Sequence, residues 1–480
     1  MRLRMGIAPH WPAARRCDGE AILSTPSLYP ECKRKSASAT QCWRSPAACR
    51  PPLAVIAAAL LALAGLAMAT ATLAKDAYVA GHWSGTWSAS PQAASVPLAF
   101  SGQTLRQIVH ASIGGTQVRV RLSNAYGVSP LHIGAARVGL RSHGASIAAG
   151  SDRVLTFGGA AATTIPVGAL AVSDPVELRV PDQADLAISL WIPGNQSAAT
   201  EHKLGLQATY VSPEGDFTGA DSLPTASTTA SYHFLAGVDV GSSAPSRAIV
   251  ALGDSITDGL HSTPDANRRW PNRLAERLHA RNRGNRIAVL NAGISGNRIL
   301  HDKAGTNASA RLDRDVLVQT GARYLIVLEG INDIGIPVGS AAEDIIAGHR
   351  QIIERAHAMG LKVYGGTLTP FQAFLPGVYF SAEGEATRQA VNHWIRTGKA
   401  YDAVIDFDRV LRDPDRPAVM RPAYDSGDHL HPNDAGYQAM ADAIDLSLFD
   451  VRGRGHPATA AKATGVPQAR PNAAPCRCPQ

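Results

Sequence analysis

The chain has 480 residues, enough for two domains, and its 45% hydrophobic and 18% charged composition is that of an ordinary globular protein. Its formal charge of +7 resides in the two ends, leaving residues 75–451 with 32 basic and 36 acidic groups, a net −4, which argues against a nucleic-acid groove in the body of the chain. No cysteine lies between Cys49 and Cys476, so that stretch holds neither a thiol nucleophile nor a cysteine zinc site and needs no disulfide.

In chain order, the first feature is the apolar run Leu53–Met68, after basic Arg50 and before the small residues Ala67, Ala69 and Ala71. That is the form of a signal peptide. Residues 1–74 are therefore expected to be an N-terminal extension with a signal, and the protein to be exported to the periplasm or the extracellular space. The alternative is an uncleaved anchor, since the uncharged stretch reaches Leu73 and ~20 apolar residues can span a bilayer. The residues before Pro51 carry cysteines, prolines and charges without periodicity, unlike the short basic region of a signal.

Residues 78–240 show period-two alternation. In "TQVRVRLSN", Val118, Val120 and Leu122 share one face, with Arg119 and Arg121 on the other. "DPVELRVP" alternates Val176, Leu178 and Val180, and "ADLAISLWIPG" alternates Leu186, Ile188 and Leu190. Gly, Pro, Asn and Ser punctuate these runs as in a β-sandwich. "GSSAPS", Gly241 to Ser246, reads as a linker.

Over 247–450 the pattern changes. Short apolar strands ("AIVAL", "IAVL", "YLIVL", "KVYGGTL", "AVIDF") alternate with helical segments such as Trp270/Leu274/Leu278 and Ile345/Ile346/Ile352/Ile353. Alternation of this kind predicts a parallel, doubly wound sheet, which places ligands at the carboxyl ends of its strands. "GDSITDG", "AGISGN" and "IND" follow three successive strands, so their polar residues should meet at one rim. Residues 452–480, rich in Ala and Pro, read as a disordered tail.

Ser255 follows the first of these strands. A serine hydroxyl attacks an ester when a base takes its proton and donors hold the oxyanion. The elbow G-x-S-x-G does not fit, because Thr257 occupies its second glycine, and a lone serine after a strand is more often a helix cap. Taken singly, Gly296 reads as a turn and Asn332 as a loop cap. Together with Ser255 they supply three candidate oxyanion donors: two backbone N–H groups and a side-chain amide. In "YDSGDHLHPND", Asp428 and His431 stand three apart, the spacing at which a helical turn lets a carboxylate fix a histidine's tautomer. Pro432 suits the first turn of the following helix. His429 reads as a loop histidine, and Asp425 and Asp434 as loop and cap.

"GDSITDG", the glycine of "GISGN", "GIND" and "DHLHP" closely resemble the four blocks of the SGNH, or GDSL-type, esterases and lipases, over about Arg247 to Phe449. The resemblance implies an α/β fold: a flavodoxin-like three-layer α/β/α hydrolase domain, here preceded by an all-β sandwich-like domain. It implies Ser255 as nucleophile, with Asp428 and His431 completing the triad. Ser255, Gly296 and Asn332 are then the oxyanion hole. Asp254 and Asp333 read as supporting hydrogen-bonding groups, and Asn297 and Arg298 as candidate substrate contacts. No metal and no other cofactor is implied. The expected reaction is hydrolysis of short-chain acyl esters or acetylated carbohydrates, with lysophospholipase or arylesterase activity as the alternative. The expected partner is a small-molecule or polysaccharide ester, with no nucleic acid, and no stable membrane partner unless the N-terminal segment is an anchor.

The N-terminal β-region resembles accessory sandwiches of exported bacterial members. It either binds carbohydrate, with Trp83, Trp87 and Trp191 stacking on sugars, or packs on the hydrolase and shapes its cleft, the tryptophans being core. Two readings compete with the esterase. One is a metal-dependent phosphoesterase with Asp254, Asn332, Asp428, His429 and His431 as ligands, which lacks the further strand-end histidines a two-metal site needs. The other is a non-catalytic carbohydrate-binding surface protein.

Overall fold

The computed structural model describes residues 81–281, 286–335 and 337–450. The expected signal or anchor segment and the tail lie outside the described residues. No helix among the described residues is long and apolar enough to cross a membrane.

The alternating runs form strands β1 (His82–Ser88), β2 (Ala99–His110), β3 (Gly115–Ser123), β4 (Ala135–His143), β5 (Leu170–Val172), β6 (Val176–Val180), β7 (Asp185–Ser197), β8 (Thr209–Glu214) and β9 (Leu235–Ser242). One antiparallel sheet runs β1-β9-β3-β5, with β6 also on β3; the other contains β8-β2-β7-β4. Val118, Val120, Leu122, Leu186, Ile188 and Leu190 are fully buried, as a strand with one core face requires.

The opposite face of β3 is largely covered, with Arg121 buried and Arg119 only partly exposed. Arg119 Nε donates to Asp239 Oδ2 at 3.0 Å, Thr320 Oγ1 donates to the same oxygen at 2.9 Å, and Arg121 reaches Gln319. The arginine face is therefore covered by the C-terminal half of the chain. Charges repeat along a strand equally well whether they meet solvent or partners, so the sequence carries no signal for this seam.

The remaining elements are β10 (Ser246–Gly253), α1 (Ser255–Asp258), α2 (Trp270–Arg281), β11 (Arg286–Gly293), α3 (Ala308–Leu312), β12 (Ala322–Leu328), α4 (Ile331–Ile334), α5 (Ala342–Ala358), β13 (Lys362–Gly366), α6 (Ala382–Thr397), β14 (Ala403–Ile405), α7 (Phe407–Leu411) and α8 (Asp434–Asp442). Strand β9 runs on through Gly241 and Ser242 and β10 begins at Ser246, so three residues rather than the expected six join them. The parallel sheet has the order β11-β10-β12-β13-β14. Ala248 to Leu252 is apolar without a break and fully buried, as a central parallel strand must be. Helix α2 buries Trp270, Leu274 and Leu278, and α5 buries Ile345, Ile352 and Ile353.

The strand order grows one way from β10 to β11 and the other way from β10 to β12. A crevice at the carboxyl ends follows from that reversal. The register aligns the three ends: Gly253 pairs with Gly293 of β11 and with Leu328 of β12. The N-terminal β-region packs against edge strand β11 and the approach to β12. Gly85 N donates to Thr320 O at 2.8 Å, Ser88 Oγ to Asn291 O at 2.9 Å, and Val289 N to Ser112 Oγ at 3.1 Å.

Candidate active site

Where β10 ends, Asp254 caps α1, its Oδ1 accepting the Ile256 N–H at 2.9 Å. Its carboxyl is pushed up to about 7 by burial, with Asp333 and Asp258 nearby adding repulsion. The cap fixes the turn that carries Ser255, whose side chain is buried. Ser255 Oγ lies 2.7 Å from His431 Nε2, and His431 Nδ1 lies 2.6 Å from Asp428 Oδ2. Because Nδ1 faces a carboxylate it carries the proton, and Nε2 is left to accept from the serine hydroxyl.

The spacing of Asp428 and His431 is achieved differently from the expected helical turn. Both stand in a loop, and α8 begins only at Asp434, capped by Asn433, whose Oδ1 accepts the Gly436 N–H at 3.0 Å. Pro432 precedes the cap. The loop is closed by the carboxylate itself: Asp428 Oδ1 accepts the N–H groups of Leu430 and His431 at 3.0 and 2.9 Å and the Ser426 hydroxyl at 3.1 Å. One oxygen thus shapes the loop while the other orients the imidazole. Partial burial pushes the Asp428 carboxyl up, but the hydrogen bonds from the His431 ring and backbone outweigh it and hold it well below the usual carboxylate range.

His429 turns away, its Nδ1 2.6 Å from Asp425 Oδ2, and is exposed. Asp434 accepts from the N–H and hydroxyl of Thr263 and from Arg268, tying α8 to the loop after α1.

After β11 the chain turns tightly. Ile294 N donates to Gly253 O, Ser295 N to Asp258 Oδ2 and Asn297 N to Ile294 O. Gly296 takes φ +79°, and a Cβ there would lie 2.9 Å from that of Ala304, so the position is closed to a side chain on both counts. Among the described residues its N–H, like that of Ser255, has no hydrogen-bond partner. The Asn332 amide is brought to the same turn, its Nδ2 donating to Asn297 O at 2.9 Å.

Asn297 is corrected as a substrate contact. It is 1% exposed, its Nδ2 serves Ala304 O and Thr306 O at 3.0 and 2.9 Å, and its Oδ1 accepts from Arg311 at 2.9 Å. Nothing polar remains for a ligand. Arg298 is partly exposed and spends Nε on Asn332 O at 3.0 Å. Asp333 supports the same turn by accepting the N–H groups of Ile299 and Leu300, and burial pushes its pKa upward.

Several contributors gave no recognisable motif. His261 Nε2 sits 3.2 Å from Asp428 Oδ2, and its ring is 5.5 Å from that of His431. Phe374 meets the His431 ring edge-on at 6.0 Å. Buried His202, from the strand Thr200–His202, places Nε2 3.0 Å from Asp258 Oδ1 and Nδ1 3.0 Å from Ser90 O. Both ring nitrogens face acceptors, an arrangement that favours the protonated ring. Burial lowers its pKa, but Asp258 outweighs that and the net direction is up. Since Asp258 also accepts the Ser295 N–H, the β-region reaches the turn that presents Gly296.

Metal-capable groups converge differently from the competing phosphoesterase reading. Among the described residues, the one such trio with ligand atoms within 4.8 Å of one another is His261, Asp428 and His431. Asp254 is committed to its cap and His429 to Asp425.

The tryptophans proposed to stack on sugars are engaged. Trp87 is buried edge-on against Tyr232, Arg119 covers the Trp83 ring at 4.6 Å, and Trp191 Nε1 donates to Gly102 O at 3.2 Å.

The parallel sheet carries a serine, histidine and aspartate linked by hydrogen bonds at its carboxyl rim, an arrangement able to activate the serine hydroxyl. Residues 251–439 match the GDSL-like Lipase/Acylhydrolase family model, and this segment is a GDSL-like lipase/acylhydrolase domain. Similar solved structures include a putative lipolytic protein of the G-D-S-L family from Desulfitobacterium hafniense DCB-2, at 22% identity and TM-score 0.32 over 41% of this chain and 96% of that one. A carbohydrate acetylesterase from Sinorhizobium meliloti matches at 16% identity and TM-score 0.33, over 41% and 95%. An aryl esterase from M. smegmatis matches at 17% identity and TM-score 0.34, over 41% and 96%. No curated protein matches the chain.

Proposed function

We propose that the protein is a metal-independent carboxylic ester hydrolase working through an acyl-enzyme on Ser255. The observation that carries this reading is the continuous chain from Ser255 Oγ through His431 to Asp428, with links of 2.7 and 2.6 Å. His431 Nε2 takes the hydroxyl proton as Ser255 Oγ bonds to the ester carbonyl carbon. Asp428 steadies the imidazolium that forms. The N–H groups of Ser255 and Gly296 and the Asn332 amide receive the oxyanion, each such donor being worth roughly 10²–10³ in rate. The alkoxide leaves with the proton from His431, and water deacylates the serine by the same route in reverse.

Short-chain acyl esters and acetylated carbohydrates are the substrates we propose. The chain is read as a flavodoxin-like three-layer hydrolase domain over about 247–450, with an accessory sandwich over 78–240 that packs on it, and as an exported protein. A panel of acetylated xylan, p-nitrophenyl acyl esters and lysophospholipids, run on wild type and Ser255→Ala, tests the function. Turnover by wild type alone is expected. Activity retained by Ser255→Ala overturns the mechanism, and binding of a polysaccharide with no ester cleaved by wild type would make this a binding protein.

A further inference from the structure

An asparagine that stabilises an oxyanion must show its NH₂ group, not its carbonyl, to the reacting atom. A primary amide is nearly symmetric in shape, so a half-turn about its last torsion exchanges donor for acceptor. Something must hold the correct face. In this chain one restraint comes from Asn297 O, which accepts one of the two Asn332 N–H groups at 2.9 Å.

The other comes from a residue with no place in the sequence motifs. The Tyr379 hydroxyl lies 2.8 Å from Asn332 Oδ1 and 3.1 Å from Ile331 O. With Nδ2 facing a carbonyl, Oδ1 is the acceptor and the phenol is the donor. The tyrosine ring is itself locked. A Cβ on Gly335 would lie 2.3 to 2.6 Å from its atoms, so the ring occupies the space a side chain would take just after α4. Phe371 and Phe374 meet it edge-on at 6.1 and 5.0 Å. Burial pushes the phenol pKa well above its ordinary value, so the donor proton stays in place at working pH.

We infer that Tyr379 is a positioning residue for the oxyanion site: its hydroxyl pins the Asn332 amide so that the second N–H points toward the ester oxygen. This rests on the serine-hydrolase reading above. Its action falls on the transition state, because only there does the oxygen carry the charge that needs the donor.

The test is a double-mutant cycle on full-length protein with p-nitrophenyl acetate, using Tyr379→Phe, Asn332→Ala and the double variant, with Ser255→Ala alongside. One lost hydrogen bond in the transition state should lower kcat on the order of tenfold in Tyr379→Phe, with KM within about twofold of wild type. In the Asn332→Ala background the same change should cost less than about twofold, since no amide remains to be oriented. Equal losses in both backgrounds would show that the ring acts only through packing, and an unaltered kcat in Tyr379→Phe would remove the role altogether.

A crystal structure of wild type carrying a phenylboronic acid adduct on Ser255 checks the geometry without any Tyr379 variant. Tyr379 Oη should stay bonded to Asn332 Oδ1 while Nδ2 meets the adduct oxygen; a separated pair overturns the inference. Inert wild type, or active Ser255→Ala, refutes the hydrolase reading and the tyrosine's role with it. Inactive Ser255→Ala beside fully active Tyr379→Phe refutes the tyrosine's role alone.

Discussion

Replacing Asp428 by Asn removes one charge and almost no volume, and the loop around it dictates how the amide must sit. Oδ1 accepts two backbone N–H groups and a hydroxyl, so the carbonyl of the new amide takes that side. Its NH₂ group then faces His431 Nδ1, where Oδ2 now lies at 2.6 Å. A donor there turns Nδ1 into the acceptor and moves the ring proton to Nε2, which can no longer take the Ser255 hydroxyl proton. The lost charge adds to this. Two unit charges ~4 Å apart interact by about 4 kcal/mol at an effective dielectric near 20, or roughly 10³ in rate. Asp428 is 26% exposed, which keeps the dielectric high and makes that figure an upper bound for the charge alone. Tautomer and charge together should lower kcat by ~10³–10⁴ with KM little changed. Initial rates of p-nitrophenyl acetate hydrolysis, normalised by thermal melts to the folded fraction, measure it. A variant retaining a tenth of wild-type kcat would refute the assigned role of Asp428.

Three further outcomes are expected. His431→Ala should lose at least ~10³ in kcat, while His429→Ala, whose ring is exposed and paired with Asp425, should stay within about twofold, both read in the same ester assay. Gly296→Ala should reduce both melting temperature and kcat: a left-handed backbone costs a residue with a Cβ roughly 1–2 kcal/mol, and relief of that strain would turn a donor away. His202→Gln should destabilise the protein by about 3 kcal/mol in denaturant titrations at pH 6, since it leaves the buried Asp258 carboxylate without its charge partner. The folded pKa of His202 is raised, so the pair's contribution is full below the unfolded histidine's pKa of about 6.5 and is lost as pH rises through the folded value. The gap between wild type and variant should therefore narrow toward alkaline pH.

Much of the fold could be read from period alone. Apolar runs such as Ala248–Leu252 demand burial on both faces, and Val118/Val120/Leu122 on one. The candidate site was legible because its residues sit at consecutive strand ends and in compact motifs: Ser255 after β10, Gly296 after β11 and Asn332 after β12. What stayed hidden depends on side chains that meet only in three dimensions. Asn297 stands beside Gly296 in sequence, yet its amide points into the protein toward Arg311. His261, Tyr379 and His202 lie outside every motif: His261 comes within 3.2 Å of Asp428 from a loop, Tyr379 hydrogen-bonds Asn332 from another, and His202 hydrogen-bonds Asp258 from the β-region. The three-residue spacing of Asp428 and His431 does bring carboxylate and imidazole together, but through a carboxylate-closed loop in place of the expected helical turn.

The central claim is that Ser255 Oγ is the attacking atom, made so by His431 at 2.7 Å. Labelling with a fluorophosphonate ester, followed by mass spectrometry of the digested protein, tests it most directly. One adduct on the peptide containing Ser255, formed in step with complete loss of esterase activity and absent in His431→Ala on the same timescale, is the predicted result. Full inactivation with the adduct on another residue, or undiminished activity with Ser255 fully labelled, would contradict it.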